Sequence, residues 1–191
     1  MFWDTSAIVL LCCSQPATAQ ARRLARECRQ TVVWWATSVE ARSAFARLVR
    51  KGEMASSDLP VAIALLENLR RSWREVQPSQ DMRLLAERIP DEYGVKAGDA
   101  FQLAAALVWC RERPRRRPFV CFDDRLAKAA AKAGFTVRPA LPTETSSASA
   151  PPAAPLNPDE EPVKNSSWDP PSGGLVRLKP DPTSGEVSSQ L

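Results

Sequence analysis

Apolar positions along the first 140 residues fall into two alternating patterns: runs of two to four consecutive apolar residues, and longer stretches in which apolar residues recur every three or four positions. The first pattern suits strands buried on both faces, the second helices with one covered side. Phe2-Trp3 is the first such run, closed by Asp4-Thr5-Ser6 as a turn from which a helix capped by Asp4 or Ser6 begins. Ala17 to Arg29 has Ala21, Leu24, Ala25 and Cys28 at helical spacing with arginines opposite, and Thr31 to Trp34 reads as a second strand. Thr37 or Ser38 caps a helix running to about Lys51, stopped by Gly52. Ser57-Asp58 opens another that tolerates Pro60 in its first turn and runs to about Trp73. Asp81 to Ile89 is helical and expected to end before Pro90. After a linker at Tyr93 to Gly98, Asp99 introduces the apolar helix Ala100 to Cys110. Phe119 to Phe122 predicts a strand, Asp123-Asp124 its turn, Arg125 to Ala133 a helix stopped by Gly134, and Phe135 to Arg138 a last short strand.

Strands alternating with helices predict an α/β domain over residues 1–141, with a central, mainly parallel sheet covered on both sides. From residue 142 to 191 the chain turns to Ser, Pro, Ala, Gly and acids, a composition expected to stay disordered because it buries too little surface to offset ordering entropy. Charge divides at the same place. There are 23 bases and 15 acids before Thr143, against three bases and seven acids from there on, so the folded part is basic enough to suit a polyanion.

Residue types narrow the chemistry. The five cysteines include no C-x-x-C pair, and most lie in apolar surroundings, the usage of a reduced, cytoplasmic protein with Cys as a small hydrophobe. Ala7 to Cys13 followed by Ala17-Thr18-Ala19 has the outline of a leader with a cleavage site, but Asp4 is the only charge before Arg22, the wrong sign for one. No apolar stretch has the length of a transmembrane helix. Histidine is absent, which removes Ser-His-Asp and Cys-His catalysis and His metal ligands, leaving carboxylates as the main chemical resource.

Four acids stand out by position. Asp4 and Asp123 follow predicted strands, Glu40 lies one turn into the helix after the second strand, and Asp99 starts a buried helix. In an open parallel sheet the carboxyl ends of the strands form the ligand crevice, so these acids are placed to converge there. Clustered carboxylates raise one another's pKa unless a cation joins them, and oxygen-only ligation selects a hard ion, Mg²⁺ or Mn²⁺. Each has a plainer reading too: Asp4, Asp99 and Asp123 as helix caps or first-turn acids worth about 0.3 to 2 kcal/mol apiece, and Glu40 as part of a solvated helix face.

Asp4-Thr5-Ser6-Ala7 after an apolar strand, Ser38-Val39-Glu40-Ala41, Gly98-Asp99-Ala100-Phe101-Gln102-Leu103-Ala104, and Phe122-Asp123-Asp124-Arg125-Leu126 with Ala129-Ala130 and Gly134 resemble the PIN domain, and within it the VapC toxins of toxin–antitoxin systems. The resemblance implies a three-layer α/β/α fold and a metal-dependent endoribonuclease, usually a homodimer, held inactive by a cognate antitoxin. It implies Asp4, Glu40, Asp99 and Asp123 as the catalytic acids, with Asp4, Asp99 and Asp123 as ligands of Mg²⁺ or Mn²⁺. Ser6 matches a hydroxyl that supports the first acid, and Asp124 competes with Asp123 for the fourth place. The residues after Thr143 and the bulky pair Trp34-Trp35 depart from the pattern.

Arginines are the natural grip on an RNA substrate: Arg42, Arg47 and Arg50 near Glu40, and Arg111, Arg113, Arg115, Arg116 and Arg117 in a Pro-broken loop that equally suits a solvated or antitoxin-facing surface. Trp3, Trp34 and Trp73 read as core, Trp35 and Trp109 as candidates to stack on a base or pack a dimer face. Two other functions fit the acids. One is a PIN-like binding module without turnover, and the other a phosphotransfer domain with Asp4 as nucleophile, although Ser6 stands where such a site would offer a second Asp.

Overall fold

Each apolar run becomes a strand of two or three residues: β1 (Phe2–Trp3), β2 (Val32–Trp34), β4 (Pro118–Val120) and β5 (Thr136–Arg138), joined by β3 (Arg74–Val76). The computed structural model describes residues 1–141; the tail expected to be disordered lies outside them. All pairings are parallel, in the order β3-β2-β1-β4-β5. Seven helices connect the strands among the described residues: α1 (Thr5–Cys12), α2 (Thr18–Arg26), α3 (Thr37–Arg50), α4 (Leu59–Arg70), α5 (Gln80–Tyr93), α6 (Ala97–Trp109) and α7 (Asp124–Lys132), with a 3₁₀ turn at Ser56–Asp58.

The two-residue period of the strands sorts their side chains into two cores. Phe2, Val32, Trp34 and Phe119 point to one face and pack with Met82, Leu103 and Leu126 from α5, α6 and α7. Trp3, Val33 and Val120 point to the other and pack with Ile8, Phe45 and Leu66 from α1, α3 and α4. The result is a three-layer α/β/α domain whose central strands are covered on both sides, which is why β1, β2 and β4 are unbroken apolar runs. Trp3, Trp34 and Trp73 lie in these cores, as do Cys12, Cys13, Cys110 and Cys121.

The elements depart from the sequence reading in three instructive places. β3 carries only one apolar residue, yet pairs with β2 from Val32–Arg74 to Trp34–Val76. It is an edge strand with Arg74 exposed, so the backbone ladder rather than a hydrophobic run holds it. α5 does not stop before Pro90 but continues to Tyr93, ending at Gly94 with φ of 66°. Pro90 removes one N–H, while the turn around it is held by buried Ile89 and by Lys132, whose ammonium lies 5.1 Å from the Tyr93 ring. α6 starts at Ala97, so Asp99 lies inside its first turn instead of preceding it.

The strand order reverses between β1 and β4. From β1 the chain steps outward to β2 and β3 with helices on one face, then crosses to β4 and β5 with helices on the other. A crevice opens at the carboxyl ends of the strands flanking such a reversal. No helix among the described residues is long and apolar enough to cross a membrane.

Candidate active site

Asp4 ends β1 at this reversal. Its backbone N–H donates to the Val120 carbonyl of β4 at 2.9 Å, and its carboxylate Oδ2 accepts from the Ser6 N–H at 2.8 Å. The plain reading of Asp4 as the cap of α1 is therefore correct, but it occupies only one oxygen. Asp4 is 5 % exposed, and burial, with the Glu40 charge adding to it, pushes its pKa from 3.8 up to about 6. The Cys121 thiol lies 3.7 Å from Oδ2, and burial together with the Asp4 charge raises it beyond the ordinary thiol range. Ser6 ties the floor together, its hydroxyl accepting from the Phe122 N–H at 2.9 Å.

Glu40 reaches the same place from the first turn of α3. Its Oε2 accepts from the Thr5 hydroxyl and from the Gln102 side-chain amide at 2.7 Å, while the same amide nitrogen donates to Thr5 Oγ1 at 2.7 Å. Three residues from α1, α3 and α6 thus close a triangle. The opposite amide orientation would set an oxygen against the carboxylate, so the network fixes Gln102 as donor. Gln102 is 2 % exposed, and its Oε1 is buried without a protein partner.

Asp99 and Asp123 form the second pair of acids. Burial first and the Asp123 charge second raise the Asp99 pKa, while Arg125 and Lys96 oppose the shift. Asp123 caps α7 through Oδ1, which accepts from the Leu126 N–H at 2.9 Å. Asp4, Ser6, Glu40, Asp99, Gln102 and Asp123 all line one cavity of about 980 Å³. Asp124 is the first residue of α7, exposed, and does not line it.

The arginines divide. Arg47 lines the cavity together with Lys51. Arg42 instead pairs with Glu67 at 3.2 Å on the α4 side. Arg113, Arg115, Arg116 and Arg117 join the end of α6 to the start of β4, at the sheet edge opposite the acids, and Arg117 lies over the Trp109 ring at 5.8 Å. They are not brought to the cavity.

No family model and no curated protein matches the chain. What the cavity can hold is read from its donors. They are carboxylate oxygens without histidine, and none of the four acids has an ion-pair partner within 4.0 Å among the described residues. Burial first, and the charge of a neighbouring acid after it, raise the pKa of Asp4 and Asp99, and the buried Gln102 Oε1 is a further acceptor without a donor. That donor set fits a hard cation. The acids stand as two pairs, and among the described residues no three His, Cys, Asp or Glu side chains are close enough to hold one ion together. Both pairs line the same open cavity, Asp99 half-buried and Asp123 exposed.

Sequence reading overlooked Thr5, Gln102, Cys121 and Lys51. Gln102 carried a signal: it is the one polar side chain in Phe101 to Trp109 and lies three residues after Asp99, on the same helical face.

Proposed function

We propose that the chain is a metal-dependent endoribonuclease that hydrolyses RNA phosphodiester bonds at the Asp4–Glu40–Asp99–Asp123 cavity. The observation that carries this reading is the convergence of four acids, from four separate segments, on one cavity at the strand-order reversal. The four-motif resemblance to PIN domains supports it, and extends it to the toxin of a toxin–antitoxin pair whose partners are a cognate antitoxin and a second copy of the chain.

Asp4, Asp99 and Asp123 would hold Mg²⁺ or Mn²⁺, which supplies positive charge to the scissile phosphate and makes water a competent nucleophile near neutral pH. Asp4 is the fixed member, since its cap to α1 and its backbone bond to β4 leave it no freedom to swing. Glu40 has one oxygen occupied by Thr5 and Gln102 and offers the other to orient the attacking water and accept its proton. The water oxygen bonds to phosphorus and the bond to the 3′-oxygen breaks; that oxygen leaves as a hydroxyl by taking a proton from solvent, to which Glu40 returns the one it accepted. Arg47 and Lys51 border the same cavity and hold the phosphate backbone there.

The test is cleavage of labelled structured and single-stranded RNAs in Mg²⁺, Mn²⁺ or EDTA. Asp4→Asn and Asp99→Asn should fold, lose metal binding and lose cleavage by about a hundredfold or more. Full activity of either variant would overturn the assignment. A phosphoryl group trapped covalently on Asp4 would point instead to phosphotransfer, and metal binding without turnover to a binding module.

A further inference from the structure

A second cavity lies on the other side of the first turn of α6. It measures about 440 Å³, and Trp34, Phe101, Ser79, Gln80 and Arg83 are among its walls. Trp34 and Phe101 are nearly parallel, at 10° with ring centroids 6.0 Å apart, and Trp35 meets Trp34 edge-on at 6.1 Å. Trp34 is buried, but Phe101 is 39 % exposed and Trp35 49 %. A flat stack that ends in an exposed ring, beside hydroxyl, amide and guanidinium groups, offers one plane for a π-face and several partners for a polar ring edge. Arg83 has no ion-pair partner among the described residues.

Both cavities open at the carboxyl edge of the sheet, and α6 separates them. Gly98, Asp99 and Gln102 line the acid cavity, while Phe101, two residues from Asp99 and so on the opposite helical face, lines the aromatic one. Between them is the start of the 13-residue helix α6, which has no side-chain cap and carries Lys96 at its N-cap position. Exposed Lys96 offers the positive charge that a strand's phosphates need there.

We propose that the aromatic cavity binds an unpaired nucleobase, stacked on Phe101, of an RNA strand whose backbone crosses the start of α6 to reach the acids. The proposal rests on the nuclease reading and sharpens it. Substrate is single-stranded, because a base held in a duplex presents no free face to Phe101. The polar walls favour this occupant over a second copy of the chain: Ser79 already caps α5 through the Met82 N–H, but an apolar contact between copies would leave Gln80 and Arg83 to be desolvated without partners.

The test uses the full chain carrying Asp4→Asn, in EDTA, so that binding is read without cleavage. The probes are a fluorescent unstructured oligoribonucleotide, the same strand annealed to its complement, and an abasic strand of equal length. The unstructured strand should bind about tenfold or more tighter than either of the others. Phe101→Ala should cost about tenfold on that strand alone, and Phe101→Trp should restore binding. Equal binding of all three probes, or unchanged affinity in Phe101→Ala, would overturn the proposal. So would a change of oligomeric mass in Trp35→Ala and Phe101→Ala without a change in RNA affinity, which would assign the patch to a second copy. A wild-type chain that binds in this way but cleaves nothing would sink the nuclease reading and leave the base site standing.

Discussion

At the scale of single residues, the sequence identified Asp4 as an acid in apolar surroundings, and its environment turns that into a measurable pH dependence. The folded chain holds the Asp4 proton up to about pH 6, whereas an unfolded carboxyl releases it near 3.8. Below 3.8 the full stabilising contribution is present. As pH rises from there through about 6 it is lost, and above 6 the metal-free protein carries the cost of a buried anion, about 3 kcal/mol from a shift of this size. Thermal melts in EDTA should therefore show wild type losing stability across this window relative to Asp4→Asn, which keeps a cap acceptor and has no charge to bury. A constant difference between the two curves would refute the burial account. Gln102 stands out locally as a polar residue in an apolar helix, but its role depends on partners 97 and 62 residues away, which the local pattern does not name. Gln102→Leu leaves Glu40 held by Thr5 alone. It should destabilise the fold by about 1 to 3 kcal/mol and lower kcat about tenfold or more with KM for RNA little changed. Steady-state kinetics beside a denaturant melt would check both, and an unchanged kcat would remove Gln102 from the catalytic arrangement.

At the scale of elements, what was legible is what burial writes into the chain. β1, β2 and β4 are buried on both faces and announce themselves as apolar runs, whereas β3 forms through backbone pairing at an edge and leaves almost no pattern. The boundaries of α5 and α6 were misread where local chemistry, Pro90 and Asp99, was outvoted by packing of the two helices on each other. The end of α7 shows the opposite case, a stop signal whose geometry is satisfied in full. Gly134 has φ of 100°, its N–H donates to Ala131, and the Phe135 N–H reaches back to Ala130. A Cβ there would be strained by the backbone and would also meet Pro114 Cγ at 3.3 Å. Gly134→Ala should cost about 1 to 3 kcal/mol and lower the thermal midpoint by several degrees, measured by calorimetry. An unchanged midpoint would mean that the chain re-forms this turn without strain.

At the scale of the whole molecule, the fold class was legible because strand and helix patterns alternate, but the strand order was not. Nothing local in Phe2-Trp3 says that β1 lies between β2 and β4, yet that placement makes the crevice into which the four acids project. The central position of β1 also governs how the domain comes together in time. Phe2 pairs with Val32 on one side and with Phe119 on the other, so one edge of the innermost strand finds its partner early and the other waits until residue 119 has been made. Long-range parallel pairing of this kind slows folding. On the ribosome, a nascent chain shorter than β4 has an open edge at β1 and lacks the strand that closes the cavity and carries Asp123 beyond it. Assembly of the acid cavity is thereby deferred until nearly all of the described domain has been synthesised.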